Sequence, residues 1–285
     1  MNLEFPSMLD YGLEPAAEVL ARAFEDYFVR IPSTIGVLLH MARADSVDLA
    51  SSCIFIRGGT AVGGALIARR GWTCRLAGMA IVPEARRTGV GRAAVAHLLG
   101  EAKARADRAM LLEVIEQNTA AVELYRACGF KEIRRLIGFA GSLVPDIATS
   151  SKLVEVDLRE VADAVTRHGL PDLPWQLSGE TLAQLTPPNV AYRLDGAWIA
   201  LSDPSQPVVT IRALVAARDK LVGDGTPPCR DREAALLRAV MAQYPGKEEW
   251  RLSALWPEEL AAVIAPAGLP RSPLTQWQMQ REVSR

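Results

Sequence analysis

Apolar positions in the first half of the chain switch between helical and strand spacing, which predicts a layered α/β unit. Across 12–30 (GLEPAAEVLARAFEDYFVR), Ala17, Leu20, Ala21, Phe24 and Phe28 fall near one stripe of a helix that Pro32 ends. Residues 33–44 suggest a second helix. Segments 53–57 (CIFIR) and 61–70 (AVGGALIARR) read as strands joined through Gly58-Gly59, a hairpin signal. Residues 75–82 (RLAGMAIV) form a third strand, closed by Pro83. After the loop PEARRTGVG, a helix runs from Gly91 to Ala106 with Val95, Leu98, Leu99 and Ala102 on its apolar face. MLLEVI at 110–115 is short and β-rich, hence a strand. Asn118 suits the N-cap of a helix from Thr119 to Cys128, and Gly129 stands where a left-handed C-cap belongs. Strand-like segments near 130–140 complete an α-α-β-β-β-α-β-α-β order.

Residues 141–151 are small and polar, which places a boundary there and gives domains 1–144 and 145–285. The second half reads as a repeat of the first, the alternative being that helix-strand-helix patterns coincide by chance. Setting Gly268 on Gly129, an offset of 139, lays helix 92–105 on 231–244 and strand 110–115 on 249–254. Upstream, AYRLDGAWIALSD reads as a hairpin and PVVTIRALVA as the strand before the loop.

Composition narrows the partners. A chain of 285 residues fits two domains, each able to bury a core, and 49% hydrophobic with 23% charged residues is ordinary for a globular protein. A formal net charge of −1 gives no electrostatic reason for nucleic acid or an anionic membrane as partner. Cys53, Cys74, Cys128 and Cys229 form no C-x-x-C pair, and His40, His97 and His168 are isolated, so no metal is expected. Reduced thiols, the lack of a secretory pattern and the lack of a long apolar run point to the cytoplasm and away from a membrane.

The chemistry concentrates in Arg86-Arg87-Thr88-Gly89-Val90-Gly91-Arg92, between a strand and a helix. Bare amides at a helix N-terminus suit a diphosphate, glycines let the backbone approach it, and arginines add charge-assisted bonds. A P-loop needs G-K-[ST], and Gly91 is followed by Arg92-Ala93-Ala94. The dinucleotide pattern G-x-G-x-x-[GA] is present from Gly89 to Ala94, with Glu113 about 20 residues on. However, residues 83–88 intervene between strand and glycines, and Glu113 lies inside its strand.

V-x-P-E-A-R-R-T-G-V-G-R, then L-E-V-I-E-Q-N, then A-V-E-L-Y-R-A-C-G-F, in this order, resembles the acyl-CoA-binding core of the GNAT N-acetyltransferase superfamily. The spacing is most similar to the ribosomal-protein alanine N-acetyltransferase branch. The likeness covers residues 75–135 well and 1–75 only in element order. It implies an α/β fold of two tandem GNAT-like domains, each a mixed central sheet flanked by helices. It further implies that the backbone of Met79, Ala80 and Ile81 lines the pantetheine and acetyl group, and that Arg86 opens the R/Q-x-x-G-x-G/A motif. Amides of Arg87, Thr88, Gly89, Val90, Gly91 and Arg92 would hold the diphosphate, and Asn118 would bond the pantetheine arm. Strands 76–82 and 110–115 would splay to admit the thioester.

Acyl transfer from a thioester to an amine requires loss of an amine proton, oxyanion stabilisation and protonation of the thiolate. In the resembling enzymes a tyrosine seven residues after the motif asparagine points at the sulfur, which makes Tyr125 the candidate acid. The competing expectation is a core tyrosine on an apolar stripe of Ala121, Leu124, Tyr125 and Cys128. Glu113 is the candidate base: it shares a strand face with Leu111 and Ile115, whose apolar surroundings would desolvate it, and the resembling branch has its base at this position. A salt-bridged carboxylate is the alternative for Glu113, and Glu116 is its competitor. Cys128 lies at a helix C-terminus, where the dipole disfavours a thiolate, so it is expected to pack. A backbone N–H in strand 75–82 would stabilise the oxyanion.

At the 139 offset, Asn118 becomes Pro257, Tyr125 becomes Ile264, Glu113 becomes Leu252 and Arg92 becomes Asp231. The loop 222–230 (VGDGTPPCR) lacks R-x-x-G-x-G. The second copy is therefore expected to be degenerate and to bind no acyl-CoA. The function implied is transfer of an acetyl group from acetyl-CoA, a co-substrate, to a primary amine of a small molecule or peptide, with a homodimer as an admissible assembly. The alternative is a non-catalytic acyl-CoA sensor or scaffold.

Overall fold

The computed structural model describes residues 2–29, 33–142, 153–217, 229–265 and 268–283. It contains two compact units: Met1–Ile133 with Trp277–Arg285, and Arg134–Gln276. The boundary expected at 144/145 and the loop 222–228 lie outside the described residues. One cut between two contiguous halves does not give these units, because the chain's last nine residues belong with the first.

The first unit contains β1 (Leu3–Glu4), α1 (Met8–Tyr11), α2 (Leu13–Ala23), α3 (Ile35–Ala44), β2 (Cys53–Arg57), β3 (Thr60–Arg70), β4 (Thr73–Ile81), α4 (Val90–Ala104), β5 (Ala109–Ile115) and α5 (Thr119–Ala127). The order β1-β2-β3-β4-β5 is antiparallel up to β4 and parallel between β4 and β5. The Gly58-Gly59 turn has φ of +57° and +76°, the positive pair that a two-residue hairpin needs. The helix expected over 12–30 is shorter. Helical spacing of apolar residues continues through Phe24 and Phe28, but the chain leaves the helix at Phe24 and turns, with Tyr27 N–H bonded to Phe24 C=O at 3.1 Å. The second helix is capped by Thr34, whose hydroxyl accepts the Val37 amide at 3.3 Å. Leu20 and Ala17 of α2 are buried, and α2 lies so close to β3 that a Cβ on Gly64 would stand 3.2 Å from Leu20 Cδ2.

The last strand of the chain, β12 (Arg271–Glu282), follows β5 in the sheet and supplies the first unit's Trp277–Arg285 portion.

The second unit contains most of β6 (Lys131–Gly141), then β7 (Val154–Glu155), α6 (Leu158–His168), α7 (Gly179–Leu182), β8 (Val190–Leu194), β9 (Ala197–Leu201), β10 (Val208–Ala216), α8 (Cys229–Gln243), β11 (Glu249–Pro257) and α9 (Ala261–Ile264). Its order is β6-β11-β10-β9-β8-β7. The expected hairpin is present as β8–β9 around Asp195-Gly196, both with positive φ. The expected helix 231–244 and strand 249–254 are α8 and β11. A core of Val209, Ile211, Leu236, Val240, Trp250, Leu252 and Ile264 joins sheet and helices.

Candidate active site

The site starts from a defect in the sheet. β4 and β5 pair in parallel at Thr73↔Ala109, Cys74↔Met110, Arg75↔Leu111 and Leu76↔Leu112, and pairing then stops although both strands continue. On its other edge β4 stays paired with β3, with Met79, Ala80 and Ile81 opposite Ala65, Gly64 and Gly63, and a register shift between Leu76 and Gly78. A bulge adds local twist and bends its strand, which accounts for the parting at the same height. The fork therefore opens where the sequence places it, and the edge of β4 over Ala77–Ile81 faces no β5 partner. Gly63 keeps β3 close here: a Cβ on it would lie 2.3 Å from the Ala80 carbonyl oxygen.

Above the fork, Gly89 takes φ +88° as the N-cap of α4 and Arg87 takes φ +60°. No side chain caps α4 and its first turn holds no acidic residue. Among the described residues, none of the amides of Arg87, Thr88, Gly89, Val90, Gly91 or Arg92 has a backbone acceptor. The first four amides of any helix lack intrahelical partners, so this end presents bare donors and the positive end of the dipole. Gly91 has a packing reason as well: a Cβ there would stand 3.1 Å from Leu124 Cδ2 and 3.3 Å from Ile81 Cδ1.

The arginines divide. Arg87 and Arg92 are exposed. Arg86 is engaged elsewhere: Nε donates to Ile81 C=O at 2.9 Å and Nη2 to Ala23 C=O at 3.3 Å. Its guanidinium ties the loop to the end of β4 and to the C-terminus of α2, so its geometry is that of a brace. Sequence reasoning missed Arg57, whose Nη1 donates to Thr88 Oγ1 at 2.8 Å while that hydroxyl donates to Ala85 C=O at 2.7 Å. Its signal, a cation at a strand end with a partner 31 residues away, is not local.

Helix α5 carries the other two named groups. Asn118 is the N-cap, its Oδ1 accepting the Ala121 amide at 3.3 Å. The helix closes in a Schellman arrangement, Phe130 N–H to Tyr125 C=O at 3.0 Å and Gly129 N–H to Arg126 C=O at 2.9 Å, with Gly129 at φ +84°. Arg281 of β12 also donates to the Cys128 carbonyl, a cation at the negative end of the helix. The buried face of α5 is Val122 and Tyr125, not the expected stripe of Ala121, Leu124, Tyr125 and Cys128. Leu124 instead lies against Gly91 at the start of α4.

Tyr125 is 7% exposed and its ring meets Phe130 edge-on at 5.7 Å. Burial pushes its phenol well above the ordinary tyrosine range, with the neighbouring Tyr27 and Cys128 adding to the shift. Tyr27, in the turn after α2, is a second phenol that the sequence did not single out. Burial raises its pKa, and a hydrogen bond with the Asn118 side chain opposes the rise. Burial also raises the Cys128 thiol despite Arg92 and Arg281, consistent with packing rather than nucleophilic attack.

Glu113 is the first β5 residue past the last rung of the ladder. It does not stand alone among apolar neighbours. Arg75 donates to its Oε2 from Nε at 2.7 Å and from Nη2 at 2.6 Å, and the two side chains are 6% and 3% exposed. The salt-bridged alternative is the one present. Glu116 lies in the turn after β5. His97 stacks on Phe5 and His168 on Trp198. No cluster that could hold a metal occurs among the described residues, and no described helix is long and apolar enough to cross a membrane.

Comparison with known proteins follows the same lines. The family model "Acetyltransferase (GNAT) family" matches residues 17–130, the span that holds the fork, the loop and α5. Residues 17–130 are a GNAT acetyltransferase domain. The chain is 42% identical over 59 residues to the [ribosomal protein bS18]-alanine N-acetyltransferase of Escherichia coli (strain K12), 20% of this chain and 40% of that protein. It thus spans 40% of the length of the curated relatives it matches. Over the whole chain, the fold is similar to a tandem GNAT protein from the clavulanic acid biosynthesis pathway, with TM-score 0.65, 18% identity, and coverage of 100% of this chain and 99% of that one. A GCN5-related N-acetyltransferase from Sphaerobacter thermophilus gives TM-score 0.68 at 16% identity, covering 99% and 96%. At these identities the likeness shows the fold, and that fold is the tandem GNAT arrangement.

Proposed function

We propose that the first unit transfers the acetyl group of acetyl-CoA directly to a primary amine of a small molecule or peptide. The observation that carries this reading is the fork between β4 and β5 lying beside the uncapped N-terminus of α4. Each part has a role that this substrate needs. The free amides of Arg87–Arg92, with the Arg87 and Arg92 side chains, suit a diphosphate. The unpaired edge of β4 at Met79–Ile81 offers backbone groups to a pantetheine amide, and a free N–H there can face the carbonyl oxygen as it gains charge. Asn118, the N-cap of α5, is proposed to bond the same arm.

The amine nitrogen forms the C–N bond as the C–S bond breaks. Its proton passes to Glu113 or to water, and the departing thiolate receives the Tyr125 proton. A phenol with a raised pKa keeps its proton across the neutral range, as a donor must. The second unit, without these groups, is proposed to bind no acyl-CoA.

The commitment of Glu113 to Arg75 favours one competing reading, a module that binds acyl-CoA without turnover. Thiol release from acetyl-CoA with a panel of primary amines separates the two. The acetyltransferase reading expects amine-dependent release that Tyr125→Phe reduces sharply while CoA affinity holds. Tight CoA binding with no release on any amine would establish the sensor.

A further inference from the structure

The two units build the same fork from opposite chemistry. In the second unit β10 and β11 pair in parallel at Val208↔Glu249, Val209↔Trp250 and Thr210↔Arg251, and both strands then continue without pairing to each other, as β4 and β5 do. β10 also carries a register shift against β9 between Ile211 and Ala213, one residue further along than the β4 bulge. Aligning Trp250 with Leu111 sets Val209 on Arg75 and Leu252 on Glu113. Both replacements are buried, at 0% and 1% exposure. An apolar pair is therefore sufficient to form a bulged strand, a short ladder and a fork.

A buried ion pair is no better for stability than a well-packed apolar pair, and is often worse, because both charges must leave water. Fork architecture alone thus gives no reason for Arg75 and Glu113. Their geometry supplies one. Two of the three guanidinium nitrogens, Nε and Nη2, fall on Oε2, and among the described residues Oε1 has no partner. The pair also spans the crotch: Arg75 sits on the second-last rung and Glu113 one step beyond the last.

We propose that Arg75 is the positioning residue of the active site, gripping Glu113 by one oxygen so that the other is held at the fork for the acceptor amine. This rests on the acetyltransfer reading and deepens it. Oε1 takes an N–H of the acceptor, directly or through one water, and receives its proton as the C–N bond forms. Arginine suits the task because its planar fork fixes the carboxylate in orientation, which the single ammonium of a lysine does less well.

The test compares Arg75→Lys, Arg75→Val, Glu113→Leu and the pair Arg75→Val/Glu113→Leu, which reproduces the second unit. CoA affinity should stay within about twofold in all four, since neither residue touches the loop. Arg75→Val should lower kcat by about 10- to 100-fold, the scale of a misplaced group, and Arg75→Lys should recover part of it. The double variant should melt at or above the wild-type temperature yet turn over no faster than Glu113→Leu. Wild-type kcat in the double variant, or activity losses that track melting temperature alone, would overturn the proposal. A readout without turnover is the carboxyl signal of Glu113 in selectively 13C-labelled protein, assigned by its loss in Glu113→Gln. The proposal expects it to be displaced in Arg75→Val and largely kept in Arg75→Lys, and an unchanged signal in Arg75→Val would overturn it. Because this signal needs no acetylated product, failure of the positioning claim and failure of the acetyltransfer reading are separable.

Discussion

The first and second units differ less in backbone than in what occupies equivalent places. Each has a bulged strand, a parallel neighbour that leaves it after a few rungs, and a helix of fifteen residues, α4 or α8. Around the first fork stand Arg75, Glu113, Asn118 and Tyr125. Around the second stand Val209, Leu252, Pro257 and Ile264, all within an apolar core apart from Pro257 at the strand end. The helix ends differ too. α4 has no acidic residue in its first turn, whereas α8 has Asp231, and the nearby Glu233 is buried with its Oε1 accepting the Ala216 amide at 2.9 Å. The second unit thus supplies a carboxylate of its own to the end of β10. The difference teaches that the fork forms in this fold without the polar groups, so those groups in the first unit are open to the chemistry proposed for it.

Converting the first unit toward the second should break it in graded steps. Tyr125→Phe keeps the ring and removes the proton donor, and kcat should fall by about 10²–10⁴-fold, measured by steady-state thiol release. The reciprocal Ile264→Tyr should give the second unit no activity. Arg92→Asp reproduces Asp231 and should weaken CoA binding by about 10- to 100-fold, the equivalent of losing about 1.5–3 kcal/mol from a charge-assisted hydrogen bond, read by calorimetry. Gly63→Ala drives a methyl into the Ala80 carbonyl and should destabilise by about 1–3 kcal/mol in chemical denaturation, with the fork's geometry disturbed. Arg281→Ala removes the cation from the C-terminus of α5 and should cost about 1 kcal/mol, with a small fall in kcat through Tyr125.

The smallest effect concerns pH. The native Tyr125 pKa is raised above its unfolded value, so the unfolded state loses this proton first as pH rises. Its stabilising contribution is full below about pH 10 and is lost as pH climbs through the native value. Ultraviolet difference titration should show phenols that ionise late, Tyr125 and Tyr192 among them, and the late amplitude should fall in Tyr125→Phe.

Much of this was legible in the chain because it is local. The loop glycines, the Asn118 cap, the Gly129 cap and the Gly58-Gly59 hairpin each depend on a few neighbouring residues. The likeness to GNAT sequences supplied the fork. What escaped was non-local or decided by competition. The stripe through Phe24 and Phe28 promised a longer helix, and tertiary packing turned the chain at Phe24. Arg75 and Glu113 lie 38 residues apart, yet each is the lone charge within an apolar strand segment, a pairing signal that register alone could confirm. Arg86 matched a motif by type, while its bonds to Ile81 and Ala23 depend on where α2 ends. Nothing in RSPLTQWQMQRE marks its last residues as part of the first unit.

Titration calorimetry of the intact chain with coenzyme A tests the central claim most directly. The account predicts one site per chain, lost or much weakened in Arg92→Asp and untouched by Ile264→Tyr. Two sites, none, or a single site indifferent to Arg92→Asp would contradict it.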